Sequence, residues 1–354
     1  MNNEENSSNK CPICGRSTHK ESKYCIFHAS AKEKTEIEFI EALKEYINEI
    51  KEENREYDFE DFIFIGDIDF KEDLSIDRFE RAIFTNATFQ GDADFTGAIF
   101  EGNAAFYEAT FEGDANFTEA TFEGDANFYK AAFKGYTDFT GANFEVLIDF
   151  KDSLLKNTKI QKSQIENHIM QDKEKNFREA KEVYLLLKNN FHSIGRYDDE
   201  SWAFMKERDM ERENYRKLKN FRQWILSCFL NIIYGYGERP WNVVISALVI
   251  ITLFVLAFTY FGIGNPELIE LHGRISLDAN NDLEIISEGT LQNTTIKQFI
   301  NSLYFSLITF TTLGYGDFQP LEGWGRILAG SEAFIGAFMM ALFVYTFARR
   351  TGGR

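Results

Sequence analysis

The chain is short of positive charge. Its 38 lysines and arginines stand against 56 acidic residues, for a net charge of −18. That balance disfavours direct nucleic-acid binding, which needs cations against phosphates. Histidine and cysteine are also scarce, at five and four. His168 and His192 lie in charged, helix-like stretches and His272 in a loop-like one, with no nucleophile or glycine-rich phosphate loop near them. No catalytic constellation follows, and the chain does not read as an enzyme. A secretory leader is also missing, and the first ten residues are polar, of the kind expected to be disordered. Long apolar runs number two.

The first run, residues 241–262, carries no charge. At about 1.5 Å per residue it reaches roughly 33 Å, enough to cross a hydrocarbon core. Pro240 suits a helix first turn. The second run, 326–348, has one internal charge, Glu332. Trp241 and Trp324 sit at span ends, where amphipathic aromatics anchor. Neither run is an arginine-rich span of the voltage-sensing kind. Between the spans lies Thr311-Thr312-Leu313-Gly314-Tyr315-Gly316-Asp317. Glycine at alternate positions lets successive carbonyls turn to one side, which residues with a Cβ resist. Residues 295–311 read as a short helix ahead of this segment, capped by Thr294 or Thr295. Its C-terminal dipole end would favour a cation.

The segment resembles the potassium-channel signature TVGYG, with Leu313 where valine is commonest. Residues 238–350 resemble two-helix bacterial potassium channels, and Trp324-Gly325-Arg326 followed by Gly336 matches that family's inner-helix pattern. The resemblance implies a filter of backbone carbonyls at Thr312, Leu313, Gly314, Tyr315 and Gly316, with potassium as the transported ion. It implies that Gly336 is a gating hinge; close packing in lipid would select a glycine equally well. The family's pore-helix glutamate is Ile308 here. Support for the filter must then come from elsewhere, from Thr311, from Asp317 with Tyr304, or from Glu332 behind it. Glu332 reads as a structural hydrogen-bonding group rather than a pore-lining one. Two spans per chain cannot enclose a pore, so a homotetramer is expected.

Basic residues set orientation. Lys217, Lys219, Arg222 and Arg239 precede the first span, and Arg349, Arg350 and Arg354 follow the second. The segment 263–325 has only Arg274 and Lys297 against eight carboxylates. Positive-inside bias puts both termini in the cytoplasm of a bacterial inner (plasma) membrane.

Phenylalanine repeats through the middle at 79, 84, 89, 95, 100, 106, 111, 117, 122, 128, 133, 139, 144 and 150. The steps alternate between five and six, an eleven-residue unit. Alanine usually lies two residues before, the period-two mark of a strand facing one interior. Gly-Asp and Gly-Asn pairs in the longer steps supply corners. Short strands bending around a phenylalanine core make a right-handed β-helix. The pattern resembles the pentapeptide-repeat family, whose coils have four faces. Residues 57–152 would then give about four coils, with a loop or bulge near Leu74–Asp77 where the register breaks. This stretch holds 22 acidic and 6 basic residues, a net of −16 and nearly all of the chain's −18. Acidic pentapeptide-repeat proteins include mimics of duplex DNA, so a decoy is an alternative to a solvated acidic scaffold.

At the N-terminus, Cys11 and Cys14 are followed by Cys25 and His28. Two tight pairs suit tetrahedral structural zinc; His19 is a possible substitute ligand, and Cys228 an apolar helix residue. Residues 32–54 space Ile37, Phe39, Ile40, Leu43, Ile47 and Ile50 on one helical face, able to cap the β-helix or pack on a neighbouring subunit. Residues 160–220 read as charged helices broken near Ser193-Ile194-Gly195, a hairpin with apolar patches at Leu185, Leu186, Leu187 and Phe191 and at Trp202, Phe204 and Met205. Residues 223–236 are apolar but too short to span, as in an interfacial helix; a third, oblique span is the alternative.

The expected organisation is multidomain. It runs 1–30 zinc knuckle, 31–56 amphipathic helix, 57–156 β-helix, 157–222 helical linker, 223–237 interfacial helix and 238–350 all-α tetrameric pore. The expected function is a potassium channel gated through its cytoplasmic N-terminal region by a protein or small molecule. Rivals are a membrane-anchored scaffold or decoy, and a channel that depolarises the membrane under stress or infection.

Overall fold

A computed structural model describes residues 9–261, 263–264, 291–320 and 323–351. The expectations for the first eight residues, for His272, Arg274 and the acidic loop around them, and for Arg354 lie outside these. The chain divides into two compact units, Met1–Trp224 and Ile225–Arg354.

In the first unit the Ala-x-Phe pattern becomes a β-solenoid of about five turns. Nineteen two-residue strands run from Tyr57 to Lys159. They pair in parallel, each with the strand one coil away, in four sheets. Register is set by like residues. Phe64, Phe89, Phe111 and Phe133 are partners in one sheet, and Phe79, Phe100, Phe122 and Phe144 in another. Rings stack along the axis at 4.9 Å for Phe84–Phe106 and 5.0 Å for Phe106–Phe128. That matches the spacing of neighbouring strands. Successive columns meet edge to face, as Phe106 and Phe117 do at 88°. Corners are tight: a Cβ on Gly113 would meet the Gly91 carbonyl carbon at 2.6 Å.

The register break falls where expected. Phe70 and Phe79 are nine residues apart, and the extra residues loop out while Leu74 and Ile76 stay buried. The solenoid extends further than expected, because Leu154–Leu155 and Thr158–Lys159 still pair with the coil before them. Neither stretch carries an Ala-x-Phe pair, and backbone pairing alone continues the ladder.

Much of the negative face is structural. The Asp92 amide donates to Asp67 Oδ1 at 2.9 Å, Asp114 to Asp92 Oδ1 at 2.8 Å, and Tyr136 to Asp114 Oδ1 at 2.7 Å. Each carboxylate accepts an amide that the corner leaves unpaired.

Both ends are covered, which removes the open strand edges that invite aggregation. Helix α1, Glu36–Glu53, starts at a capping box formed by Thr35 and Glu38. Its Phe39, Leu43, Tyr46, Ile47 and Ile50 are buried while Ile37 is exposed. Phe39 packs edge to face on Phe64, and the Tyr46 hydroxyl donates to the Asp58 carbonyl at 2.7 Å. The helix therefore caps its own solenoid. At the other end come α2, Lys162–Ile165, and α3, Met170–Lys173. Gln164 Nε2 donates to the carbonyls of Phe139 and Ala142, and the Ile148 amide donates to the His168 carbonyl.

Helices α4, Phe177–Ser193, and α5, Tyr197–Lys217, form the expected hairpin. Its packing differs from the apolar patches expected. Leu185 is exposed, and Ala180, Val183 and Tyr184 join Leu187 and Phe191 inside, with Trp202 edge to face on Tyr184. On α5 the buried residues are Ala203, Glu207 and Met210, while Phe204 and Met205 are half-buried. Asn190 pairs with both backbone groups of Thr158, acting as one more rung beyond the last strand.

The second unit holds most of α6, Phe221–Tyr234, then α7, Pro240–Phe261, α8, Leu291–Phe310, and α9, Trp324–Thr351. Among the described residues, α7 and α9 are the helices long and apolar enough to cross a membrane.

Candidate ion pathway and metal centre

Helix α8 begins at Leu291, about a turn earlier than expected, so Thr294 and Thr295 lie inside it rather than capping it. Its Phe305, Ile308 and Phe310 bury against α7 and α9 and hold the helix end from which the Thr311–Asp317 segment continues. The segment hangs from that end. The amides of Leu313 and Gly314 both donate to the Ile308 carbonyl, at 2.9 and 3.3 Å. The backbone then alternates: Thr312, Gly314 and Gly316 have φ of 59°, 53° and 82°, with no such value at Leu313 or Tyr315. Glycine takes this left-handed conformation freely, and threonine only at a cost of order 1–3 kcal/mol when the surroundings enforce it. Leu313 and Tyr315 are exposed on a single chain.

The supporting residues take different places. The Tyr304 hydroxyl is directed to the Asp317 carboxylate, and its ring meets Phe318 edge to face at 6.0 Å. Thr311 Oγ1 turns back to the Leu307 carbonyl at 2.7 Å. Glu332 is fully buried and hydrogen-bonded to Ser306 on α8. Gly336 lies against the last residue of α8, where a Cβ would collide with the Phe310 carbonyl. A contact this close leaves no room for a side chain at Gly336. Sequence reasoning missed Ser302 and Ser306, both fully buried. The available signal was two serines four residues apart on a mostly apolar helix.

The elbow ahead of the first apolar span is also tied. Between α6 and α7 a short turn, Gly235–Gly237, leads to Glu238, which is buried and paired with Arg349 of α9 at 3.0 Å. Arg350 Nη1 donates to the Glu238 carbonyl at 3.0 Å.

The family described as Ion channel matches residues 282–352, and Pentapeptide repeats (9 copies) matches 78–121 and 106–154. This chain carries an ion-channel domain and a pentapeptide-repeat solenoid. The channel domain makes it a membrane protein. Among curated proteins, the Potassium voltage-gated channel protein shk-1 of Caenorhabditis elegans is 46% identical over 41 residues, covering 12% of this chain. The chain spans 8% of the length of that relative. No solved structure matches.

Outside the channel domain, one cluster in the first unit has metal-ligand chemistry. Cys11, Cys14, Cys25 and His28 place their ligand atoms within 4.8 Å of one another. His28 Nδ1 is 3.0 Å from Cys25 Sγ and 3.6 Å from Cys11 Sγ, and Cys14 Sγ is 3.5 Å from Cys25 Sγ. Tetrahedral zinc with its usual bond lengths would need edges of about 3.5–3.8 Å; the 3.5 and 3.6 Å separations match this, and the 3.0 Å edge between His28 and Cys25 would have to open by about half an ångström. His28 Nε2 lies 3.1 Å from the Glu60 carbonyl, a bond that carries the ring proton there and leaves Nδ1 for a metal. Burial and the nearby Cys14 sulfur push the Cys25 thiol up to about 12. A divalent cation reverses that, because it pays for the thiolates directly. His19 does not join the cluster; it faces Glu38 at 3.8 Å. Cys228 lies on α6, in the second unit.

The cluster is built into the solenoid's end. Phe27 stacks on Phe62 at 4.6 Å. Lys34 Nζ donates to the carbonyls of Ile26 and Phe27 and, at 2.6 Å, to Ile63 of the first coil. Cys25→Ser is expected to release the metal and lower the melting temperature of the first unit by on the order of 10 °C. Elemental analysis for one zinc per chain and a thermal melt with and without chelator check this.

Proposed function

We propose that this chain is the subunit of a homotetrameric, potassium-selective channel of the bacterial plasma membrane, gated through its N-terminal cytoplasmic unit. The observation that carries the reading is the alternating backbone of Thr312, Gly314 and Gly316, hung from the end of α8. Alternation of this kind turns consecutive carbonyls to one side, and four such segments replace an ion's hydration shell. The C-terminal end of α8 adds its negative dipole end close to that path. Two spanning helices per chain enclose nothing alone, which calls for four copies. The charge bias across α7 and α9 supports a cytoplasmic position for both termini.

Gating has a physical route within the second unit. The latch of Glu238 to Arg349 and Arg350 ties the α6–α7 elbow to the inner end of α9. A force on α6 from the cytoplasmic unit, on binding a protein or small molecule, would move the end of α9. The solenoid then serves as a scaffold in which carboxylates such as those of Asp67, Asp92 and Asp114 hold its own corners, which favours the channel over a decoy. A metal held by Cys11, Cys14, Cys25 and His28 would stiffen the first coil of the solenoid.

Reversal potential in planar bilayers between KCl and NaCl is the test. Purified protein is expected to reverse at the potassium equilibrium potential, and Gly314→Asp to carry no current. Current without discrimination, or equal current in the variant, would refute the selective filter.

A further inference from the structure

Three oxygen-bearing side chains lie where apolar neighbours are the rule. Ser302, Ser306 and Glu332 are each 0% exposed. Ser306 Oγ is hydrogen-bonded to Glu332 Oε1 and lies 3.4 Å from the Ile251 carbonyl of α7. Ser302 sits one turn earlier on the same face of α8. Its Oγ has no hydrogen-bond partner among the described residues, and neither has Glu332 Oε2. Leaving a buried polar atom unpaired costs about 1–3 kcal/mol, and more for a charged group. A buried water making two to four hydrogen bonds is the usual remedy.

We propose that Ser302, Ser306 and Glu332 form a water-holding site behind the filter, through which Glu332 acts as a positioning residue for the conducting backbone. The inference rests on the channel reading and deepens it. The path is short. Glu332 holds Ser306, and two residues on the Ile308 carbonyl carries the amides of Leu313 and Gly314. One turn further along both helices, Gly336 meets Phe310. The pairs 332/306 and 336/310 are therefore in register, and α9 grips α8 at two points one turn apart. Because the cluster is enclosed within one chain, it does not depend on how four chains assemble. Ile308 offers no polar side chain for bracing, so the buried acid is supplied by the neighbouring helix instead.

The test uses the full-length channel in bilayers, comparing wild type with Ser302→Ala, Ser306→Ala, Glu332→Gln, Glu332→Ala and the pair S306A/E332A. The readouts are tetramer yield, potassium-to-sodium permeability and the rate at which current decays under a sustained potential. Ser306→Ala and Glu332→Ala are expected to speed the decay about ten-fold, and the pair to be no worse than the worse single, since both break one bond. Glu332→Gln keeps an acceptor oxygen and is expected to retain wild-type decay. Unchanged decay and selectivity in all variants at normal tetramer yield would overturn the proposal, as would additive effects in the pair. If Glu332→Ala fails to assemble, the two serine variants, which remove only a hydroxyl, decide. A wild type without selective current would sink the channel reading instead. The site is then judged from a high-resolution cryo-EM map. Density bonded to Ser302 Oγ and Glu332 Oε2 supports it, and a dry site with the two oxygens in direct contact rejects it.

Discussion

Gly336→Val is expected to abolish current and to cut the yield of folded tetramer, and Gly336→Ala to reduce current at least ten-fold. Any Cβ at this position would fall on the Phe310 carbonyl and crowd that residue's Cα. The obstacle is backbone, so no rotamer change relieves it. Overpacking of this sort costs about 1–3 kcal/mol when side chains can adjust, and more when they cannot. Relief requires moving the end of α8, and the amides of Leu313 and Gly314 hang from that end. Gly330→Ala is the matched control, because a Cβ there meets nothing within 4 Å in its own chain. It is expected to leave current unchanged and to favour the helix by about 0.5–1 kcal/mol. The comparison also separates two roles for Gly336. A hinge alone would let Gly336→Ala assemble normally and conduct with altered open probability. A packing contact predicts lost assembly and lost selectivity, measured by size-exclusion chromatography and bilayer recording.

Phe106→Ala is expected to destabilise the solenoid by about 3–5 kcal/mol, the usual cost of emptying a large aromatic site in a packed core. Phe106 is fully buried, stacked between Phe84 and Phe128, and edge to face with Phe95 and Phe117. Its neighbours are held by strand pairing on every side, so the cavity cannot close. A solenoid is also quasi-one-dimensional, and a weak coil in the middle uncouples the two ends. Phe106→Leu keeps most of the volume and should cost under about 1.5 kcal/mol. Glu123→Ala, on the exposed side of the same coils, should fall within about 0.5 kcal/mol of wild type. Urea unfolding, followed by the fluorescence of Trp202 in the hairpin, ranks the three. Equal midpoints for Phe106→Ala and Glu123→Ala would mean that the phenylalanine columns do not hold the fold.

What repeats and what is local can be read along the chain before it folds. The five-and-six spacing of phenylalanine carries the solenoid, because each coil buries the same side chain at the same place. Apolar length carries α7 and α9. Alternate glycines carry the turns of the Thr311–Asp317 segment, and the close Cys11/Cys14 and Cys25/His28 pairs carry the cluster able to hold a metal ion. Tertiary structure decided what occurs once and joins distant segments. The pattern ends at Phe150, yet strands continue to Lys159, because hydrogen bonds to the coil beneath need no phenylalanine. Glu108 and Lys130 turn corners with φ of 54° and 56°, at residue types that do not announce it. Lys34 reads as one more surface charge, and only folding brings it to carbonyls 7, 8 and 29 residues away. Glu332 was visible as an intramembrane acid, but its partner Ser306 lies 26 residues back, across the filter. Periodicity encodes burial that recurs, whereas a contact between two unrelated positions has no period and exists only once the chain has closed around it.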